Sequence, residues 1–244
     1  MFKKINDVTI NYVTYGNEQG LDIVFLHGWG QNIAMMQPLG DKLQKDFHIT
    51  IIDLPGFGAS SEPLNIQTVH DYAKCIKDLL DELEIIKPIM VGHSFGGKIS
   101  LLYASLYPTN KLVVLASPYD QEIKNISKRT KFLKSLKRVP GLRLFEEFAK
   151  SKIGSIDYRS ASPVMRKVLT DTVNRDITDE IKNITCPVLI IWGSDDQAVP
   201  LKKAYQLESM LKNAGVVVYQ GCTHYAYLER LEQTVSVLNS FFNS

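Results

Sequence analysis

Short, continuous apolar runs recur along this chain, separated by longer stretches whose apolar residues return every three or four positions. The runs at 23–26, 48–54, 89–91, 112–116, 187–192 and 216–219 read as strands, the first two as strands buried on both faces. Residues 9–15 alternate between apolar and polar and read as a further strand, closed by a turn at Gly16-Asn17. Helical spacing covers 33–47, where Pro38 and Gly40 blur the start, and then 69–83, 98–107, 201–211 and 228–242. Strands separated by helices imply βαβ units and a mostly parallel sheet, so the expected class is α/β. The rhythm breaks between Ser117 and Thr185, where no buried strand pattern occurs and Pro140-Gly141 and Ser162-Pro163 punctuate helical stretches rich in Lys and Arg. The expected organisation is therefore a core of residues 1–117 and 186–244, with residues 118–185 inserted as a helical cap. Such a cap would lie over the carboxyl edge of the sheet, where open α/β sheets bind ligands.

A chain of 244 residues is long enough for one α/β domain carrying a lid. The net charge of +2 offers no argument for nucleic acid or a membrane as partner. Three cysteines, Cys75, Cys186 and Cys222, form no C-x-x-C motif and are expected as buried small hydrophobes in a reducing compartment. The start of the chain has basic residues without an apolar run behind them, and no stretch is long enough to span a membrane. The expectation is a cytoplasmic protein that makes no stable membrane insertion.

The chemistry centres on Gly92-His93-Ser94-Phe95-Gly96, placed between an apolar run and a helical pattern. G-x-S-x-G in strand-then-helix context is a nucleophile elbow, a sharp turn that lifts the serine out of the backbone with strained dihedrals. Gly92 and Gly96 are required because side chains there would collide in the turn. The helix that follows points its positive end at Ser94, where negative charge develops in acyl transfer. Gly92 to Lys98 also fits the start of a phosphate-binding loop, but Ile99 stands where magnesium would need Ser or Thr. Ser100 comes one place too late to serve.

A serine nucleophile needs a base, and the base an orienting acid; in elbow enzymes these follow in the order Ser, Asp or Glu, His. His224 is the one histidine after Ser94, in the loop Gly221-Cys222-Thr223-His224 before the last helix. The acid belongs after the run ending at Trp192, where Asp195 and Asp196 are adjacent candidates. The Phe95 N–H, directly after the nucleophile, is an oxyanion donor by elbow geometry.

Five ordered segments, His27-Gly28-Trp29-Gly30, Asp53 to Ser60 as Asp-x-Pro-Gly-x-Gly-x-Ser, the elbow with Gly97, Gly193 to Pro200 as G-x-x-D-x-x-x-P, and the late His224, resemble the α/β-hydrolase superfamily across essentially the whole chain. The resemblance implies that fold, and places the acid three residues after Gly193 and four before Pro200, on Asp196, leaving Asp195 a solvated loop charge. It also places the second oxyanion donor at the Trp29 N–H, and a shape role for Phe57 and Gly58 beside the pocket. His27 reads as a structural loop histidine and His93 as packing.

The implied activity is that of a serine esterase cleaving a small or medium carboxylic ester through an acyl-enzyme, without metal or organic cofactor. Carbon–carbon bond hydrolysis of ring-cleavage products and cofactor-free perhydrolysis use the same three residues, and a non-catalytic binding homologue is the remaining alternative. Basic residues crowd the cap: Lys124, Lys128, Arg129, Lys131, Lys134, Lys137, Arg138, Arg143 and Lys150, with Ile126, Phe132, Leu133, Leu136 and Val139 between them. A solvated helix face over an apolar stripe accounts for such a pattern. A landing surface for an anionic or carrier-linked substrate, or contact with a membrane surface, accounts for it too. Here the chain is similar to the methyl-ester esterases of acyl-carrier proteins, which share its His-Gly-Trp-Gly and Gly-His-Ser styles.

Overall fold

In the computed structural model, which describes residues 1–64, 68–121 and 161–244, the apolar runs become neighbours in one sheet. Its strands are β1 (Phe2–Ile5), β2 (Val8–Gly16), β3 (Asp22–Leu26), β4 (His48–Ile52), β5 (Ile89–His93), β6 (Lys111–Leu115), β7 (Val188–Gly193) and β8 (Ala214–Tyr219). They lie in the order β1-β2-β4-β3-β5-β6-β7-β8. The β1–β2 and β2–β4 pairs are antiparallel and the five later pairings are parallel, as the βαβ pattern requires.

The described helices are α1 (Gln37–Leu43), α2 (Val69–Glu82), α3 (Phe95–Leu106), α4 (Pro163–Asn174), α5 (Thr178–Ile181), α6 (Lys202–Met210), α7 (Ala226–Glu229) and α8 (Leu231–Phe242). Alternation along the central strands divides the core between the two faces of the sheet. Val24, Leu26, Met90 and Val114 pack with α2 and α3, whereas Ile23, Phe25, Val91 and Val113 pack with α1 and α8. Each such fully buried apolar side chain contributes about 1.5–3 kcal/mol. Thr68 and Asp71 close a capping box at the start of α2, satisfying N–H groups that the first turn leaves free.

Register aligns the carboxyl ends of the strands: Leu26 pairs with Ile52 and Gly92, His93 with Leu115, Leu115 with Ile191, and Gly193 with Tyr219. The loops after β3, β4, β5, β7 and β8 therefore emerge along one edge, and these loops hold His27, Asp53, Ser94, Asp196 and His224.

Several elements differ from the sequence expectation. The single helix expected over 33–47 is a 3₁₀ turn (Ile33–Met35) followed by the shorter α1, with Pro38 in its first turn. The last helix is two, α7 and α8, separated at Arg230 by a non-helical backbone (φ −124°, ψ 48°). The elbow helix begins at Phe95 rather than Lys98, since Gly96 and Gly97 have no apolar side chain to announce its first turn. Strand β1 has no counterpart in the sequence expectation: Phe2 is exposed and two lysines follow it, as suits a sheet edge. All three cysteines are buried as free thiols. Of the expected cap, 118–121 and 161–185 are described and carry α4 and α5; its basic cluster, Lys124 to Lys150, lies outside the described residues.

Candidate active site

Ser94 follows β5 directly, at φ 50° and ψ −111°, backbone that a residue with a Cβ adopts only under constraint. Close packing supplies the constraint. The Ser94 N–H donates to the Leu115 carbonyl at 2.9 Å and the Ser117 hydroxyl donates to the Ser94 carbonyl at 2.8 Å. A Cβ on Gly92 would stand 2.5 Å from the Gly96 carbonyl oxygen, and one on Gly96 would strike the carbonyl oxygens of Leu26 and His27. Gly96 also donates its N–H to the His27 carbonyl at 3.1 Å, tying the elbow to the loop after β3.

Of the two adjacent carboxylates, Asp196 meets the histidine. Its Oδ2 accepts from His224 Nδ1 at 2.8 Å, and its Oδ1 accepts from the N–H groups of Ala198 (2.8 Å) and Val199 (2.9 Å). Three donors on a side chain with no exposure compensate the cost of burying the carboxylate. Asp195 points elsewhere, accepting from the Ser194 hydroxyl at 2.7 Å in an exposed position. The loops carrying Asp196 and His224 are fastened to each other, with Asp195 N–H on the Cys222 carbonyl (2.9 Å) and Gly221 N–H on the Ser194 hydroxyl (2.8 Å). With Nδ1 donating to Asp196, the lone pair of His224 is on Nε2, the tautomer that a general base requires.

The Phe95 N–H stands at the first position of α3, where no intrahelical acceptor exists. Among the described residues neither it nor the Trp29 N–H has a protein acceptor. Trp29 packs edge-on against Phe57 (ring centroids 4.8 Å) and Phe95 (5.4 Å), so its side chain joins an aromatic wall while its N–H stays free. His27 is fully buried. It accepts from the Leu54 N–H through Nε2 at 3.0 Å and donates through Nδ1 to the Gly28 carbonyl at 2.7 Å. Burial lowers its pKa, so it remains neutral and structural.

The sequence motif Asp-x-Pro-Gly-x-Gly-x-Ser gives no separate role to its first residue, Asp53. It accepts from Ile33 N–H (2.7 Å), Ala59 N–H (2.8 Å) and the Asn11 amide (2.8 Å), and so links three segments around Phe57. Gly58 runs directly against this carboxylate with φ 55°. His93 does more than pack, because its Nε2 donates to the His224 carbonyl at 3.0 Å. Buried Lys98 donates from Nζ to the carbonyls of Thr172 (2.8 Å) and Arg175, so the helix after the elbow holds the carboxyl end of α4.

A family model described as the alpha/beta hydrolase fold matches residues 23–138 and 142–231. The chain belongs to that family. A pimeloyl-(acyl-carrier protein) methyl ester esterase of Pseudoalteromonas atlantica is 26% identical over 246 residues, covering 87% of this chain and 91% of the relative. The AB hydrolase superfamily protein YisY of Bacillus subtilis is 24% identical over 256 residues, covering 92% of each. Among solved structures, a bromoperoxidase from Bacillus anthracis superposes with a TM-score of 0.80 at 22% identity, over 100% of this chain and 99% of that one. The expected enzyme class, a hydrolase, agrees with the family and with the names of the methyl ester esterase and the AB hydrolase superfamily protein. No helix among the described residues is long and apolar enough to cross a membrane.

Proposed function

We propose that the chain is a serine hydrolase of small or medium carboxylic esters. The observation that carries the reading is the pair of buried Asp196 and part-buried His224, 2.8 Å apart, on loops that converge with the strained Ser94 at one sheet edge. In this reading His224 Nε2 takes the proton as Ser94 Oγ attacks the ester carbonyl. The N–H groups of Phe95 and Trp29 receive the oxyanion, donors worth about 3 kcal/mol each in the barrier. Collapse of the tetrahedral intermediate expels the alcohol, which leaves with the proton from His224. Water, deprotonated by the same histidine, then releases the acid. Asp196 keeps the histidine oriented and stabilises its charged form without accepting the proton.

An anionic or carrier-linked ester is the finer proposal. The basic residues of 124–150 and the methyl ester esterase among the relatives support it. Salt screens attraction between a basic protein segment and an anionic substrate, so cleavage of an anionic ester should fall steeply between low and high salt while that of a neutral ester stays level. Equal salt profiles reject the anionic substrate.

Turnover of p-nitrophenyl acyl esters of graded chain length tests the reaction itself. Ser94→Ala should lose about four or more decades, as removal of such a nucleophile does. Equal activity of the natural protein and Ser94→Ala removes Ser94 as nucleophile. Equal inactivity directs attention to carbon–carbon bond substrates.

A further inference from the structure

We infer that His93, the residue before the proposed nucleophile, is a positioning residue that holds the main chain of His224 at a fixed distance from Ser94. The inference rests on the proposed serine-hydrolase reading. His93 is the last residue of β5, paired with Leu115 of β6, and is completely buried. Its Nε2–H donates to the His224 carbonyl at 3.0 Å, and its ring lies 4.8 Å from the His224 ring. The rings of Tyr225, the next residue, and Tyr227, in α7, lie 5.3 and 5.0 Å away.

The side chain of His224 is anchored through Nδ1 to Asp196, which fixes one point of the imidazole but leaves its backbone to the loop. A second anchor on its own carbonyl removes the remaining freedom to drift along that bond. Ser94 directly follows His93, the last residue of a central strand, so nucleophile and base-holder move together. His93 also borders the oxyanion loop: its Nδ1 stands 3.3 Å from Gln31 Oε1, which accepts from the Gly28 N–H at 2.9 Å. Gln31 in turn donates to the Tyr225 hydroxyl at 3.2 Å. A Cβ on Gly28 would come 2.9 Å from His93 Nδ1, so that loop is drawn tightly onto the ring.

A cation at this place would lower the basicity of the adjacent His224. Burial first, and then His224 itself, push the His93 pKa down to about 3, which leaves it a neutral donor.

The experiment compares the rate at which diisopropyl fluorophosphate labels the natural protein, Ser94→Ala, His93→Phe and His93→Gln. In labelling, Ser94 Oγ forms a bond to phosphorus, the P–F bond breaks, fluoride departs and the serine proton passes to His224. His93→Phe keeps a ring and removes the donor; misplacement of a reacting group by about 1 Å costs on the order of a hundredfold, so labelling should slow about ten- to a hundredfold. Melting temperature should stay near that of the natural protein, and with an ester the loss should fall on kcat rather than KM. His93→Gln, whose amide N–H reaches toward the Nε2 position, should recover to within a few-fold. A His93→Phe rate equal to the natural one, or a Gln variant no faster than Phe, overturns the role while leaving the hydrolase reading intact. A natural protein that labels no faster than Ser94→Ala overturns both. Should the variants not fold, imidazole nitrogen–proton correlation spectra of the natural protein decide: a slowly exchanging Nε2–H on His93 is expected, and an Nδ1–H tautomer refutes the anchor.

Discussion

Replacing Asp196 by Asn isolates the orienting role, because the rest of the residue's bonding survives. The amide oxygen can remain on the Ala198 and Val199 N–H groups, now 2.8 and 2.9 Å from Oδ1. The amide nitrogen then occupies the place of Oδ2, 2.8 Å from His224 Nδ1, where two donors would face each other. The imidazole escapes by moving its proton to Nε2 and accepting from the amide. That tautomer has no lone pair for Ser94. The corresponding change in a serine protease costs about four decades in kcat, which at about 1.36 kcal/mol per decade is about 5 kcal/mol of barrier. Stability should change much less, since the buried group keeps its shape and exchanges one donor contact for another. The assay is kcat/KM on a p-nitrophenyl ester across pH, with a melting curve for each protein. Asp195→Asn is the control, its carboxylate being held among the described residues by the Ser194 hydroxyl at 2.7 Å in an exposed position. An Asp196→Asn enzyme within about tenfold of the natural one, or a larger loss in Asp195→Asn, refutes the reasoning, because four decades is the cost of the wrong tautomer.

Acid should destabilise the fold through its buried histidines. His93 titrates at about 3 in the folded state against 6.5 for the free side chain, and burial lowers His27 as well. Protons then bind the unfolded chain first, so stability is complete above pH 6.5 and declines as pH falls toward 3, by about 1.4 kcal/mol per pH unit for His93, with His27 acting in the same direction. Urea unfolding at several pH values checks this, and His93→Phe should flatten the slope; an unchanged slope contradicts it. Gly96→Ala should cost about 1–3 kcal/mol by overpacking against the Leu26 and His27 carbonyls, seen as a lower melting temperature. Lys98→Met leaves the Thr172 and Arg175 carbonyls without this buried donor; at about 1.5–3 kcal/mol per charged hydrogen bond it should open 163–175 to limited proteolysis before the rest of the chain. Cleavage no faster than in the natural protein would show that α4 is held by other contacts.

Some of this molecule is written in local pattern. The strand runs at 23–26 and 187–192, the strand-then-helix context of Ser94, and the collision that makes Gly92 and Gly96 glycine all depend on neighbours a few residues away. Short-range sterics and hydrophobic periodicity decide such features, so they are legible without coordinates. The edge strand β1 was not, because pairing with β2 needs only backbone groups and its two lysines imitate a loop. Arg230 likewise breaks an apparently continuous helical pattern by backbone conformation alone.

The candidate site divides the same way. The order of serine, acid and histidine is a property of the chain, but adjacent aspartates have equal chemistry. Only the turn that gives Asp196 the N–H groups of Ala198 and Val199 aims it inward. His93 reads as packing because its partner carbonyl is 131 residues away. That contact exists because parallel register brings the ends of β5, β7 and β8 to one edge, where a buried imidazole N–H is stabilised by finding an acceptor. Sequence spacing carries no record of that meeting; the tertiary fold creates it.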